Sequence, residues 1–351
     1  MINNNFQLHQ WYFQLSGGRT FAEAKLVFEN LQILGSHIGD NYFQSFGVGN
    51  MLAFADRPFE RFSCYEYLLE VCKDTDRAKF EEIHKGTPYY FLAWIALEIH
   101  DYEKATFYLD AAISEDIRVE GNDIDKGLSR PMGQLLFLRP TNDRGDRHVA
   151  WRVTQELKDL LLSELINFKT TTGVEIKLDH FIEKFVKKLI KKDIQNRSIV
   201  SSLYSYILEY NDLYKMLKLR SKDKGTIEPV IMHLFKGALI FETLLKTVYV
   251  KNYRGQKIET LGGLYGNNSY KSKKYPNLKA LSANSFRQLV SSIKRTKKLN
   301  LSVYFRNTTK LRNMTGHNLK WDDIFQSIDN YETLYRQERN AIFYFIQKEF
   351  S

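Results

Sequence analysis

The sequence predicts an all-α protein, and three observations carry that expectation. Only 6 prolines occur in 351 residues, so long uninterrupted helices are allowed almost anywhere. Apolar residues recur at three- and four-residue spacing, as in Tyr89, Leu92, Ala93 and Ala96. In the last third of the chain no strand pattern competes with the helical one. A hydrophobic content of 43%, with 24 Phe and 21 Tyr, supplies core material for two domains or three small ones.

The elements follow in order. Residues 6–15 are rich in apolar side chains, Ser16-Gly17-Gly18 breaks them, and Thr20 is placed to cap a helix over 21–34. A second helical pair begins at Thr87-Pro88, where a proline suits a first turn. After a turn at His100-Asp101 its second helix carries Ala105, Leu109 and Ala112. Residues 121–147 form the clearest irregular stretch, because Gly121, Asn122, Gly127, Pro131, Gly133, Pro140, Asn142 and Gly145 gather there. Helical spacing resumes over 151–168. A basic amphipathic helix follows over 178–192, with Phe181, Phe185, Leu189 and Ile190 on its apolar side. Its Lys184, Lys187, Lys188, Lys191 and Lys192 read as a solvated face. A charged break at 220–225 precedes a final unit. That unit has helices expected over 228–250, 285–298, 301–318 and from 321 or 322 to 349, with a Gly/Asn/Lys-rich loop over 262–277.

Charge divides the chain. Residues 1–180 hold 19 Lys and Arg against 27 Asp and Glu, a balance of −8. Residues 181–351 hold 32 against 14, a balance of +18. A basic half of that size attracts polyanions, nucleic acid above all. Cys64 and Cys72 stand eight apart, form no CxxC pair and have no nearby His to complete a zinc set, so they are expected as buried thiols. The first residues lack the basic and apolar regions of a signal peptide. The most apolar stretch, 227–250, is interrupted by Glu228, His233, Lys236, Glu242 and Lys246, which argues against a membrane span. A cytoplasmic location is the expectation.

The stretch His100-Asp101-Tyr102-Glu103-Lys104-Ala105, followed by Leu109 and Ala112, resembles the second helix of a tetratricopeptide repeat. Small residues at Ala93, Ala105 and Ala112 suit closely packed helices. Tyr89 stands where that family usually has Trp, and His100 where it has Gly. A lone repeat cannot bury its own face, so the resemblance implies an array of helical hairpins over 1–150. Such an array either binds protein or packs against the other domain.

The chemistry-bearing motif is Leu311-Arg312-Asn313-Met314-Thr315-Gly316-His317-Asn318. With 19 Arg and 8 His in the chain, one Arg-x4-His pair is expected by chance ~0.4 times, and requiring Asn after the Arg lowers this to ~0.03. The motif resembles the R-N-x3-H form of the signature of HEPN domains, helical bundles that include many RNases. The resemblance covers 226–351. It implies an acidic residue on the first long helix facing the Arg, a role that Glu242 fits. It also implies a site built across a two-fold dimer, hence a homodimer or a HEPN-like partner.

The residues suit the chemistry independently. RNA cleavage needs a proton taken from the 2′-OH, charge stabilised on the phosphorane, and a proton given to the leaving 5′ oxygen. His317 can move protons at neutral pH, and Arg312 stays charged and grips phosphate with its fork. No metal or other cofactor is needed, and no cluster of ligands is evident among the eight His. His9, His37, His84, His100, His148, His180 and His233 read as isolated. Positions five apart lie about 140° apart on a helix, so Arg312 and His317 do not share a face, whereas Asn313 and His317 do.

The expected organisation is a helical-hairpin region over 1–150, a helical connector over 151–225 and a HEPN-like RNase domain over 226–351. The expected function is metal-independent RNA cleavage by Arg312, His317, Asn313 and Glu242, in a regulated toxin or anti-phage effector. RNA is the expected substrate, with a regulatory protein or antitoxin on the N-terminal region. A non-catalytic RNA-binding adaptor and a helical-repeat scaffold are the rival readings.

Overall fold

A computed structural model describes residues 58–75, 77–82, 84–120, 126, 128–139, 149–220, 225–249, 285–296, 301–316 and 327–351. The fold is all-α, and among the described residues there is no strand. The expected helices over 6–15 and 21–34 and the loop over 262–277 lie outside the described residues. The chain divides into two compact units, Met1–Gln155 and Glu156–Ser351. Among the described residues, no helix is long and apolar enough to cross a membrane.

The first unit contains α1 (Pro58–Thr75), α2 (Arg77–Glu82), α3 (Gly86–Glu98), α4 (Tyr102–Val119) and α5 (Pro131–Leu136). Helices α3 and α4 form a hairpin at the spacing read from the sequence. Ala93, Ala96, Ala105, Leu109 and Ala112 are all buried, the small side chains letting the two backbones approach. The turn between them is held by His100 at φ 61° and by Asp101, whose carboxylate accepts from Lys104 N at 3.1 Å and so caps α4. Helix α1 packs on this hairpin through Tyr65 stacked on Phe91 and Phe62 edge-on to Tyr108. Cys64 and Cys72 both lie on α1, but their side chains are outside the described residues.

Helix α5 corrects the expectation of an irregular stretch over 121–147. Pro131 supplies a preset φ at the first helical position after an extended Arg130, and Met132, Leu135 and Leu136 are buried by the turn that follows. The density of Gly and Pro around this short helix hid it.

The boundary between the units falls within α6 (Val149–Thr172). The second unit continues through a helical run made of α7 (Leu178–His180), a π-helical segment (Phe181–Val186) and α8 (Lys187–Lys192). A 3-10 turn (Ile194–Asn196) leads into α9 (Arg197–Leu219), followed by α10 (Glu228–Val248), α11 (Phe286–Arg295), α12 (Leu301–Thr315) and α13 (Ile328–Phe350). Residues 156–225, most of the segment read as a connector, fall within this unit, and α9 packs on both α10 and α13. Helix α9 lies inside the stretch expected as a helical connector, and its Val200, Leu203, Tyr204, Ile207 and Leu208 follow helical spacing and are buried.

Helix α13 is the centre of the unit. Ser327 caps it by accepting from Asp329 N at 3.2 Å. Its consecutive residues Gln337, Glu338, Arg339 and Asn340 are all buried. Gln337 meets α12, where its amide donates to Tyr304 O and its carbonyl accepts from Asn307. Glu338 meets α9 through Tyr206, and Arg339 pairs with Glu164 of α6. A helix with a polar partner on each side has neighbours all round. An apolar cluster fills the space between α10, α11, α12 and α13, formed by Val230, Ile231, Leu234, Phe286, Leu289, Val290, Leu311, Met314, Tyr331 and Leu334.

Candidate active site

The site is built on α10 and α12, which pack directly together. Glu242 sits on α10 between Phe241, Leu244 and Leu245, none of which has exposed surface, and its own side chain is only 5% exposed. A carboxylate so placed needs cationic partners. It has two. Arg312 Nε on α12 donates to Oε2 at 3.2 Å, and Lys246 Nζ, one turn further along α10, lies 2.7 Å from Oε1. One acid thus holds two cations, and the trio carries one net positive charge.

The packing of α12 sets how Arg312 is presented. Leu311 and Met314 turn into the apolar cluster, so Arg312 between them emerges at the edge of the core with its side chain 32% exposed. The contact with Glu242 uses Nε, which leaves the two amino groups of the guanidinium for an outside acceptor. Asn313 is exposed beside it. Helix α12 ends at Thr315, and Gly316 N then donates to Arg312 O at 3.0 Å. A Cβ on Gly316 would lie 3.1 Å from the Phe235 ring, so this end of α12 comes close to α10.

Arg312 and Glu242 are therefore brought together, with Asn313 adjacent on the open side. His317 lies outside the described residues, and so does the helical relation expected between it and Asn313. Sequence reasoning missed Lys246 as part of this group. The signal was present, since Glu242 and Lys246 are an i, i+4 pair in the favoured order, acid before base.

Three histidines read as isolated have defined partners, and His100 Nδ1 lies 3.1 Å from the Tyr102 hydroxyl. His84 Nε2 lies 2.8 Å from Asp116 Oδ1. His233, fully enclosed on α10, bridges two helices. Its Nε2 donates to Tyr206 O at 2.8 Å, so the neutral ring presents Nδ1 as an acceptor to the Tyr331 hydroxyl at 2.9 Å. Burial lowers its pKa to about 3, with Lys236 adding to the effect and the Tyr206 carbonyl opposing it. His233 is nine residues from Glu242, roughly 13 Å along the helix, and belongs to the core. Among the described residues no three His, Cys, Asp or Glu side chains converge to hold a metal ion.

Comparison with protein-family models, with characterised proteins and with solved structures gave no match to this chain.

Proposed function

We propose that this chain is a metal-independent endoribonuclease of HEPN type. The observation that carries the proposal is the Arg312–Glu242 pair, which holds a partly exposed guanidinium at the edge of the core through its Nε. That is the arrangement a phosphate clamp requires, because a side chain already oriented loses less entropy on binding. The +18 balance of residues 181–351 supports a polyanionic substrate.

In the proposed reaction the 2′-oxygen of one nucleotide attacks the adjoining phosphorus as its proton passes to a base. The P–O5′ bond breaks, and the leaving 5′ oxygen takes up a proton. The products are a 2′,3′-cyclic phosphate and a 5′-hydroxyl, and water can open the cycle to a 3′-phosphate. Arg312 stabilises the charge of the phosphorane, His317 carries the protons, Asn313 positions, and Glu242 holds Arg312. The active form is a homodimer with both copies of the motif lining one cleft. The protein acts in the cytoplasm as a regulated toxin or anti-phage effector, and its N-terminal region receives a regulatory protein or antitoxin.

The test is incubation of purified protein with labelled RNA, with and without EDTA. Cleavage that survives EDTA and disappears in both Arg312→Ala and His317→Ala is the expected result. Cleavage that needs added metal, or that His317→Ala leaves untouched, overturns the mechanism. Binding without cleavage assigns an adaptor role, and neither binding nor cleavage assigns a scaffold.

A further inference from the structure

The basic face of residues 178–192 read as solvated surface, but its position in the fold gives it a direction. The helical run buries Phe181, Phe185, Leu189 and Ile190, with Phe181 edge-on to Phe343 and Phe185 edge-on to Phe350 of α13. Lys184, Lys188, Lys191 and Lys192 are left exposed. Lys187 is tied to Glu183, and Lys188 Nζ lies 6.0 Å from the centre of the Phe350 ring. At the end of the run Lys192 Nζ donates to Thr247 O, in the last turn of α10.

That contact joins the lysine face to the candidate site. Lys246, next to Thr247, pairs with Glu242, and Glu242 pairs with Arg312. Glu242 and Thr247 are five residues apart, roughly 7.5 Å along the helix. The two positions are also about 140° apart around the axis, so the path from the strip to Arg312 rounds the end of α10. The acids nearby already accept bonds, Asp193 from Gln195 N at 2.9 Å and Glu349 from the Tyr249 hydroxyl at 2.5 Å.

We infer that Lys184, Lys188 and Lys191 form a phosphate-tracking strip that leads a single strand of RNA towards Lys246 and Arg312. The inference rests on the reading of Arg312 as a phosphate clamp. One line of ammonium groups follows one backbone, whereas a duplex presents two. In-line attack by a 2′-oxygen also needs unpaired nucleotides free to rotate. Lysines on phosphates carry no sequence information, so the strip sets affinity and direction rather than base choice.

The probe is a fluorescent 2′-O-methylated oligouridylate of about 20 nucleotides, which 2′-oxygen attack cannot cut. Its binding to the full-length Lys188→Gln/Lys191→Gln variant is followed by anisotropy across a range of salt. The control is Lys215→Gln/Lys218→Gln, which removes the same two charges at the same spacing on α9. Those exposed lysines lie towards the far end of α9, roughly 27 Å along the axis from its start beside the strip.

The strip variant is expected to weaken binding about tenfold near physiological salt and to flatten the plot of log K against log salt by about 1.4, at ~0.7 per phosphate on a single strand. The control is expected to leave both unchanged, and all the proteins should melt alike. Equal losses in the two variants, or no loss in either, overturn the strip. Loss of sedimentation with phosphatidylserine vesicles alone, with RNA affinity unmoved, overturns RNA in favour of an anionic membrane. Because the probe cannot be cut, its binding is read apart from the chemistry, and absence of cleavage of unmodified RNA sinks the proposed reaction and leaves the strip standing. Arg312-dependent cleavage with an inert strip does the reverse.

Discussion

Tyr206 on α9 donates its hydroxyl proton to Glu338 on α13 across 2.9 Å, and the receiving side chain has no exposed surface. Burial holds the Glu338 carboxyl well above its ordinary range, and the bond from Tyr206 opposes this only in part. The folded protein therefore keeps the proton on Glu338 to higher pH than the unfolded chain does. A pKa raised on folding gives stability that is fully present below the unfolded value of about 4.5 and lost as pH rises above it. The loss runs at up to about 1.4 kcal/mol per pH unit. Glu338→Gln keeps the shape and an acceptor for Tyr206 without the titration. It is expected to raise the urea midpoint at pH 8, with the gain shrinking towards pH 4.5. A loss of equal size at both pH values would contradict the raised pKa of Glu338.

Gly237 on α10 faces the same contact. A Cβ there would fall 2.5 Å from Glu338 Oε2 and 2.5 Å from Tyr206 Cζ. Gly237→Ala gains about 1 kcal/mol in helix propensity, but overpacking of this kind costs about 1–3 kcal/mol and separates α10 from α13. Thermal denaturation should therefore give a lower midpoint for the variant. An unchanged or higher one would mean that the helices part without cost.

His233 governs the acid side. Its pKa falls from 6.5 in the unfolded chain to about 3 in the folded one, so the folded form resists protonation between those values. Stability from this group is fully present above 6.5 and declines as pH falls through that window. His233→Gln should fold less stably at pH 7, yet lose less between pH 7 and pH 4. Parallel acid limbs for the two proteins would rule out His233 as the titrating group.

Removing the carboxylate behind Arg312 tests positioning, with the equally neutral Gln variant as the control for the lost charge. Glu242→Ala leaves the guanidinium in place chemically but frees its orientation. If the proposed reaction is correct, kcat should fall up to ~100-fold while the salt dependence of RNA binding is kept. Glu242→Gln, which still offers an oxygen to Nε, should recover part of that loss. Full activity in Glu242→Ala would show that Arg312 needs no support.

In the first unit, Lys85 is 4% exposed, and its ammonium donates to Phe80 O at 2.6 Å and lies 3.3 Å from Glu115 Oε2. Lys104, with its side chain 53% exposed, lies 3.6 Å from Asp101. Lys85→Met strands the Phe80 carbonyl, while Glu115 keeps Arg118 and the Lys85 backbone N–H, and should cost about 1–3 kcal/mol, whereas Lys104→Met should cost under ~1 kcal/mol. Urea denaturation of the two variants reads the difference directly, and similar costs would mean that water reaches Lys85.

Helices α4, α10 and α12 were legible because each has one apolar face, whereas α3, buried continuously from Phe91 to Ala96, was legible from its proline start and apolar run. The juxtaposition of Glu242 and Arg312 was suggested by a resemblance rather than by spacing, since 70 residues separate them. Helix α13 was expected from 321 or 322 to 349 and runs from Ile328 to Phe350. Its central position was not legible. Gln337-Glu338-Arg339-Asn340 looks like a solvent face, and only partners on α6, α9 and α12 make its burial tolerable. Helix α9 fell within the expected helical connector, but its tyrosines and serines blur the stripe that marks it as part of the core. The destination of the lysine face was invisible because the contact from Lys192 to Thr247 spans 55 residues.

The placement of α13 also bears on how the second unit comes together. Every helix it bonds with precedes it in the chain, with contacts reaching back 132 residues to Tyr206 and 175 to Glu164. Closure of the bundle must wait until its last-made member arrives, and loops of that length fold slowly. Until then α6, α9, α10 and α12 surround an absent centre with unpaired polar groups. A nascent chain at that stage leaves Glu164, Tyr206 and Asn307 without their α13 partners.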